Sequence, residues 1–417
     1  MRLLEKMKAD KQEKLLQKKL IEAFDVSGIY MEYTSEKYKK RIYPKIHSIK
    51  FNENRIEYVF TLLNGQDPKE IKKKEYAFYQ VFGRTLKIET DSIKKYTLTV
   101  SNRTIPKKFI YDYKKFLPAI EGMKLPIFGG VNLDGEYIVW DMADGKPHLL
   151  AAGENGSGKS AGVRQILATL IQFKKSSELH LYLCDPKFTE FHLFGDVEHV
   201  QGKIACEMDD IYNNIKAVKK ELDDRKRLIG EQEKLTGIEK YNDRYHDKKI
   251  PYVLLVIDEF AQLKDKKDSI NLIETISAQG RAFGIFLLLA TQRAEAQVMN
   301  GLIKQNITIR MGFRHADLIN SRITNTIGSE KISMEDKGRF ILKLDEAMEV
   351  QAPLLEEEIA EKLLEPYKRK EEEVKREAIT WSFPNCNEII ESNEEKKEQS
   401  KPVIKKLTID DLFGGDK

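Results

Sequence analysis

The sequence predicts an α/β protein built on a mostly parallel sheet. Two observations carry this. Between residues 126 and 355, apolar runs of strand length alternate with helical stretches: Leu149–Ala152, Leu179–Cys184, Tyr252–Ile257, Ile285–Ala290, Thr308–Phe313 and Arg339–Leu344. Strands that are apolar almost throughout, separated by helices, belong to a sheet covered on both faces. The second observation is Gly153-Glu154-Asn155-Gly156-Ser157-Gly158-Lys159-Ser160. It fits G-x-x-x-x-G-K-[ST] at every fixed position and stands between an apolar run and a helix-like stretch reaching about Phe173, the context a phosphate-binding loop requires. The chain has 417 residues, 41% of them hydrophobic, enough for two to three domains and a large core.

Taken in order, residues 1–25 read as a charged helix. Leu16, Leu20 and Phe24 follow one another at intervals of four and give it a weak apolar stripe, suited to a neighbouring subunit or to a frayed arm. Residues 26–125 read as a small, basic α+β module. Tyr43–Phe51 and Arg55–Leu63 alternate apolar and polar residues around an Asn52-Glu53-Asn54 turn, and Asp67-Pro68 opens a helix through about Phe82. Leu86–Glu89 and Tyr96–Ser101 complete a ββαββ pattern. Residues 126–365 are the phosphate-loop domain. A charged helix starts at Glu356, and residues 366–417 form a charged, partly disordered tail, Glu/Lys/Ser-rich around Ser392–Lys401. The tail closes on Leu407–Phe413, which reads either as an unremarkable terminus or as a tethered docking peptide.

Composition narrows the function classes. Cys184, Cys206 and Cys386 form no pairing or zinc-binding pattern, which points to a reducing, cytoplasmic compartment. No apolar run approaches the ~20 residues needed to span a bilayer, and the start is too charged for a signal peptide, so membrane attachment is expected only through a partner. The net charge of +4 conceals an asymmetry: Met1–Leu125 holds 28 Lys/Arg against 16 Asp/Glu, leaving −8 for the rest. A basic front half on a nucleotide-binding chain fits contact with nucleic acid or acidic lipid, and equally a solvated lysine-rich surface.

The chemistry-bearing residues lie at strand ends. The glycines of 153–158 let successive amides face one point, and the following helix N-terminus adds positive charge. Lys159 reaches the β- and γ-phosphates, and Ser160 is a Mg²⁺ ligand. Tyr252–Ile257 ends in Asp258-Glu259, so Asp258 is placed for the metal and Glu259 for orienting or deprotonating the attacking water. Ile285–Ala290 ends in Thr291-Gln292-Arg293, which makes Gln292 a candidate γ-phosphate sensor. Arg281, on a Gly-flanked segment before that strand, is either a finger toward an adjacent subunit's γ-phosphate or a surface ion-pair partner. Asp185-Pro186-Lys187 follows another strand, with Asp185 and Lys187 open to nucleotide contact or to loop structure.

These segments resemble the FtsK/SpoIIIE DNA translocases over about residues 135–360. The resemblance is carried by Pro147-His148-Leu149-Leu150, Asp185-Pro186-Lys187, Tyr241-Asn242, Gly280-Arg281-Ala282-x-Gly284-Ile285, Leu288–Arg293 and Gly301-Leu302-Ile303-Lys304-x-Asn306-Ile307. Within the wider FtsK/HerA class the chain is most similar to coupling-type ATPases of Gram-positive conjugative plasmids and integrative elements. The resemblance implies a RecA-like fold, ATP and Mg²⁺, and a homo-hexameric ring with ATP between subunits and duplex DNA, bound without sequence preference, in its channel. It implies Lys159 and Ser160 as phosphate-loop residues, Asp258 and Glu259 for metal and water, Gln292 as sensor and Arg281 as trans finger, with Arg310 as runner-up. Ala294 stands where the family usually has Pro. Neither the membrane helices nor the winged-helix module of chromosome translocases is expected here. The expected use therefore moves to a mobile element's DNA, with relaxase or membrane-channel proteins as partners. A packaging or HerA-like DNA-processing ATPase, or a nucleotide-stabilised adaptor without turnover, are the alternatives.

Overall fold

The computed structural model describes residues 2–34, 39–51, 55–83, 85–90, 92–101, 104–232, 235–293 and 301–369. The tail with its Leu407–Phe413 peptide, and the segment after Arg293 that contains Ala294, lie outside them.

The N-terminal module is a four-stranded antiparallel sheet in the order Lys45–Phe51, Arg55–Thr61, Lys95–Ser101, Leu86–Thr90. One face carries Tyr58, Phe60, Leu98 and Val100, all buried. Alternation along each strand sends these residues to one side. The expected single helix after Asp67 is two pieces, Lys69–Lys73 and Glu75–Phe82, broken at Lys74. The helix Arg2–Ser27 is longer than expected, and its stripe faces neither a neighbour nor solvent. Leu20 and Phe24 are fully buried on the module's own sheet, with the Phe24 ring edge-on to Phe60 and Phe78 at 5.1 and 6.1 Å between centroids. The sheet needs this cover: without it, its apolar face would lie open to water.

The larger sheet has nine strands in the order Leu179–Cys184, Tyr252–Ile257, Ile285–Thr291, Leu149–Ala152, Ile309–Phe313, Arg339–Lys343, Ala347–Gln351, Pro126–Val131, Tyr137–Asp141. The first five are parallel. The other four extend the sheet antiparallel, Arg339–Lys343 included. Two of the antiparallel pairings are hairpins with short turns, which permit no other sense.

The parallel half shows why its strands read as continuous apolar runs. Leu149, Ala151, Leu254, Val256, Leu288 and Ala290 pack into one core with Val163, Ile166, Leu167 and Leu170 of the helix Lys159–Phe173. Their neighbours Leu150, Val253, Leu255, Leu287 and Leu289 face a second core under the helices Met208–Gly230 and Lys267–Gln279. The first core also takes in Tyr111, Phe116 and Ile120, from before the first strand of the sheet.

His148 joins these layers at the start of the phosphate-loop strand. It is buried, with φ of +66°. Its Nδ1 accepts the Leu287 amide at 3.0 Å, so the proton sits on Nε2, which donates to the Ser277 carbonyl at 2.9 Å. Burial pushes the imidazole down to about 4. An unfolded histidine titrates near pH ~6.5. Between these values only the unfolded chain binds the proton. The contribution is therefore complete above pH ~6.5 and is lost as the pH falls toward 4, about 3 kcal/mol in all. Denaturant melts from pH 7.5 down to pH ~4.5 are expected to show this loss in the wild type and not in His148→Asn, where both melts share the background of other titrating groups.

Candidate active site

The four parallel strand tips Ala152, Ile257, Thr291 and Phe313 converge on one sheet edge, where ligands of α/β folds bind. The loop 153–158 is anchored on three sides. The Gly153 amide donates to the Thr291 carbonyl at 3.1 Å, the Glu154 amide to the Arg314 carbonyl at 3.0 Å, and the Gly338 amide to the Ser157 carbonyl at 2.8 Å. The Glu154 carboxylate also pairs with the Arg314 guanidinium. Gly158 is essential here: its φ is +96°, and a Cβ on it would lie 2.4 Å from the Gly338 nitrogen. Gly158→Ala is expected to push the loop off the 338 segment and weaken nucleotide binding at least tenfold, with only a modest loss in melting temperature. Titration with a fluorescent ATP analogue beside a thermal melt checks this.

Lys159 and Asp258 form a buried ion pair, Nζ to Oδ1 at 2.7 Å, each side chain 3% exposed. Asp258 Oδ2 and Ser157 Oγ are buried with no hydrogen-bond partner. Orphaned polar atoms of this kind fit a site meant for a cation and a polyphosphate. Ser160 Oγ donates to Glu190 Oε1 at 2.5 Å. Ser160 Oγ and the partnerless Asp258 Oδ2 could hold a divalent cation, which would neutralise phosphate charge.

Glu259 takes the left-handed conformation, φ +56° and ψ +55°, which costs a non-glycine residue about 1–2 kcal/mol. The surroundings fix it there. Oε1 accepts from Thr291 Oγ1 at 2.8 Å and from the Gln292 amide at 3.1 Å, and Oε2 meets Lys187 Nζ at 2.9 Å. Burial pushes this carboxyl up, but the bonds from Lys187, Thr291 and Gln292 together outweigh burial and hold it below the ordinary carboxylate range. It is therefore ionised at neutral pH, the form a base must have.

Asp185 is wholly buried and serves the loop. Its carboxylate accepts the amides of Lys187, Glu190 and Phe191 at 3.3, 2.8 and 3.0 Å. Glu190 shows no sequence pattern, since it sits in an irregular turn. Burial raises its carboxyl, the Ser160 hydroxyl lowers it, and the charge of Asp258 raises it further, leaving it above the usual range.

A cavity of about 520 Å³ opens over the loop, lined by Lys159, Ser160, Glu190 and Gln292 on one side. The opposite wall comes from the antiparallel extension: Lys107–Phe109, Gly338 and Gln351–Leu354. Buried Arg339 builds that wall, donating to Gln351 Oε1 at 2.9 Å and to the carbonyls of Ile105 and Pro106 at 3.1 and 3.2 Å. The one sequence signal was a guanidinium immediately before the apolar run Phe340-Ile341-Leu342.

Arg281 lies elsewhere. It is exposed on a short 3₁₀ turn leading into Ile285–Thr291, at the opposite sheet edge from the phosphate loop of its own chain. Arg310 is buried and donates to the carbonyls of Thr324, Lys304 and Ile307. Asn242 pins the approach to the Asp258 strand, with its side-chain amide bonded to both the N–H and the C=O of Ile250.

Residues 119–296 match the model of the FtsK/SpoIIIE family. This segment is an FtsK/SpoIIIE domain. The chain is 34% identical over 257 residues to the DNA translocase FtsK of Borreliella burgdorferi, and 35% identical over 218 residues to that of Treponema pallidum. These alignments take in 59% and 50% of this chain but only 32% and 27% of those proteins, so the chain spans about a third of the relatives' length. Among solved structures, the pCW3 conjugation coupling protein TcpA, a monomer form with ATPγS, superposes at a TM-score of 0.56 with 25% identity. That superposition covers 83% of this chain and 98% of TcpA. The cytoplasmic domain of the Thermomonospora curvata type VII secretion ATPase EccC shares the fold, at a TM-score of 0.53, 22% identity and 59% and 31% coverage. The FtsK/SpoIIIE domain accounts for the phosphate loop, Asp258-Glu259 and Gln292, while the wall built by Lys107–Phe109 and Gln351–Leu354 lies outside the matched residues. Among the described residues no helix is long and apolar enough to cross a membrane.

Proposed function

We propose that this chain is an ATP-driven translocase of duplex DNA, a coupling ATPase of a plasmid or conjugative element that hydrolyses ATP at the subunit interfaces of a homo-hexameric ring. The observation that carries the reading is the meeting of Lys159, Ser160, Asp258 and an ionised Glu259 at one sheet edge under a cavity. Similarity to TcpA over most of both chains supports the coupling role, and similarity to FtsK supports DNA as the cargo.

In this reading residues 153–158 cradle the phosphates of ATP with their amides, and Lys159 leaves Asp258 for the γ-phosphate. Glu259 orients the attacking water and receives its proton. Gln292, whose amide already touches Glu259, presents its side chain to the same cavity as γ-phosphate sensor. Arg281 lies at the sheet edge opposite its own loop, a position suited to a neighbouring subunit's ATP. Ser160 and Asp258 would hold Mg²⁺. Relaxase or membrane-channel proteins are the partners that would bring the motor to a membrane.

The deciding experiment is ATP turnover with and without duplex and single-stranded DNA over a salt series. Stimulation by duplex of any sequence, weakening steeply as salt rises, is the expected result, because phosphate contacts release counterions. Turnover that no DNA changes at low salt overturns the reading.

A further inference from the structure

Two residues of the turn after Leu179–Cys184 reach the two working ends of the site. Glu190 holds the Ser160 hydroxyl and Lys187 holds the Glu259 carboxylate. They are not independent, because the buried Asp185 carboxylate binds the amides of Lys187, Glu190 and Phe191 and so ties the turn into one piece. Glu190 and an incoming metal compete for one atom, Ser160 Oγ. Lys187 holds Glu259 on the side opposite to its bonds from Thr291 and Gln292. It thereby engages the carboxylate oxygen that those two leave available for a water.

We propose that the Asp185–Phe191 turn is a latch coupling nucleotide entry to the release of Glu259. With metal–nucleoside triphosphate bound, Ser160 would leave Glu190, and the same movement of the turn would withdraw Lys187 from Glu259. Lys187 and Glu190 are then positioning residues, acting through Glu259 and Ser160. The inference rests on the ATP-hydrolysis reading above.

The coupling is reciprocal: whatever loosens the Lys187 end must favour nucleotide at the Ser160 end. Charge alone predicts the opposite, since removing a cation beside a polyphosphate weakens its binding. Lys187→Met therefore separates the two. The full chain is titrated with a fluorescent, slowly hydrolysed ATP analogue plus Mg²⁺, and its DNA-free turnover is measured. Lys187→Met is expected to bind the analogue about fivefold more tightly, the effect of one lost hydrogen bond, and to turn over ATP faster without DNA at a correspondingly lower KM. Lys187→Arg, which keeps the ion pair, is expected to behave as wild type and controls for folding. Binding by Lys187→Met that is unchanged or weaker overturns the latch. A wild type that binds no analogue overturns instead the ATP reading on which the latch rests.

Discussion

Lys159→Met is expected to abolish nucleotide binding and to destabilise the motor by about 3–5 kcal/mol, the cost of leaving a buried charge without its partner. The geometry behind this is the 2.7 Å pair between Lys159 and Asp258, each side chain 3% exposed. The substitution keeps the length and packing of the side chain but strands the Asp258 carboxylate, whose second oxygen already has no hydrogen-bond partner. The double variant Lys159→Met/Asp258→Asn removes both charges. It is expected to regain most of the lost stability while remaining inactive, because replacing a whole buried pair is often near neutral. Denaturant unfolding of the two variants, alongside analogue binding, reads both effects. A single variant as stable as wild type would show that the pair adds nothing to the fold.

Glu259→Gln is expected to lower turnover by about 10²–10⁴, the usual contribution of a positioned base, while analogue binding is kept or, through the loosened Lys187 end of the latch, tightened up to about fivefold. The glutamine can still accept from Thr291 and from the Gln292 amide, so the strained backbone at φ +56° keeps two of its three supports. What is lost is the negative charge facing Lys187. Because the Lys187 side chain is 34% exposed, this should cost less than about 1 kcal/mol of stability. Single-turnover hydrolysis beside equilibrium binding separates the two quantities. Retained DNA-stimulated turnover would remove Glu259 from its assigned role.

The parallel half of the fold and the phosphate-binding edge were legible in the sequence because both obey local rules. A strand buried on two faces must be apolar at every position, as Tyr252–Ile257 is, and a loop that curls around phosphate must place its glycines at fixed spacing. Arg2–Ser27 was read as a helix, but its target was not legible, since a stripe of Leu16, Leu20 and Phe24 says that a surface is covered and not which one. The antiparallel strands Pro126–Val131 and Tyr137–Asp141 were missed because Gly129 and Gly130 interrupt the first and the second is only four apolar residues closed by Asp141. Glu190 and the wall from Lys107–Phe109 and Gln351–Leu354 were out of reach for a different reason. Their place is set by tertiary contacts, such as the Arg339 bonds to the carbonyls of Ile105 and Pro106, which leave no spacing in the chain.

That far wall also sets an order of events in the life of the chain. The phosphate loop at 153–158 leaves the ribosome long before Gln351–Leu354, the segment that closes the cavity above it. Long-range strand pairing is the slow part of folding, and here it joins the two ends of the motor. A nascent chain thus carries the phosphate-binding motif without a pocket. The cavity over the loop is complete only when the last strands dock, so a nucleotide enclosed in it would report that the sheet has closed.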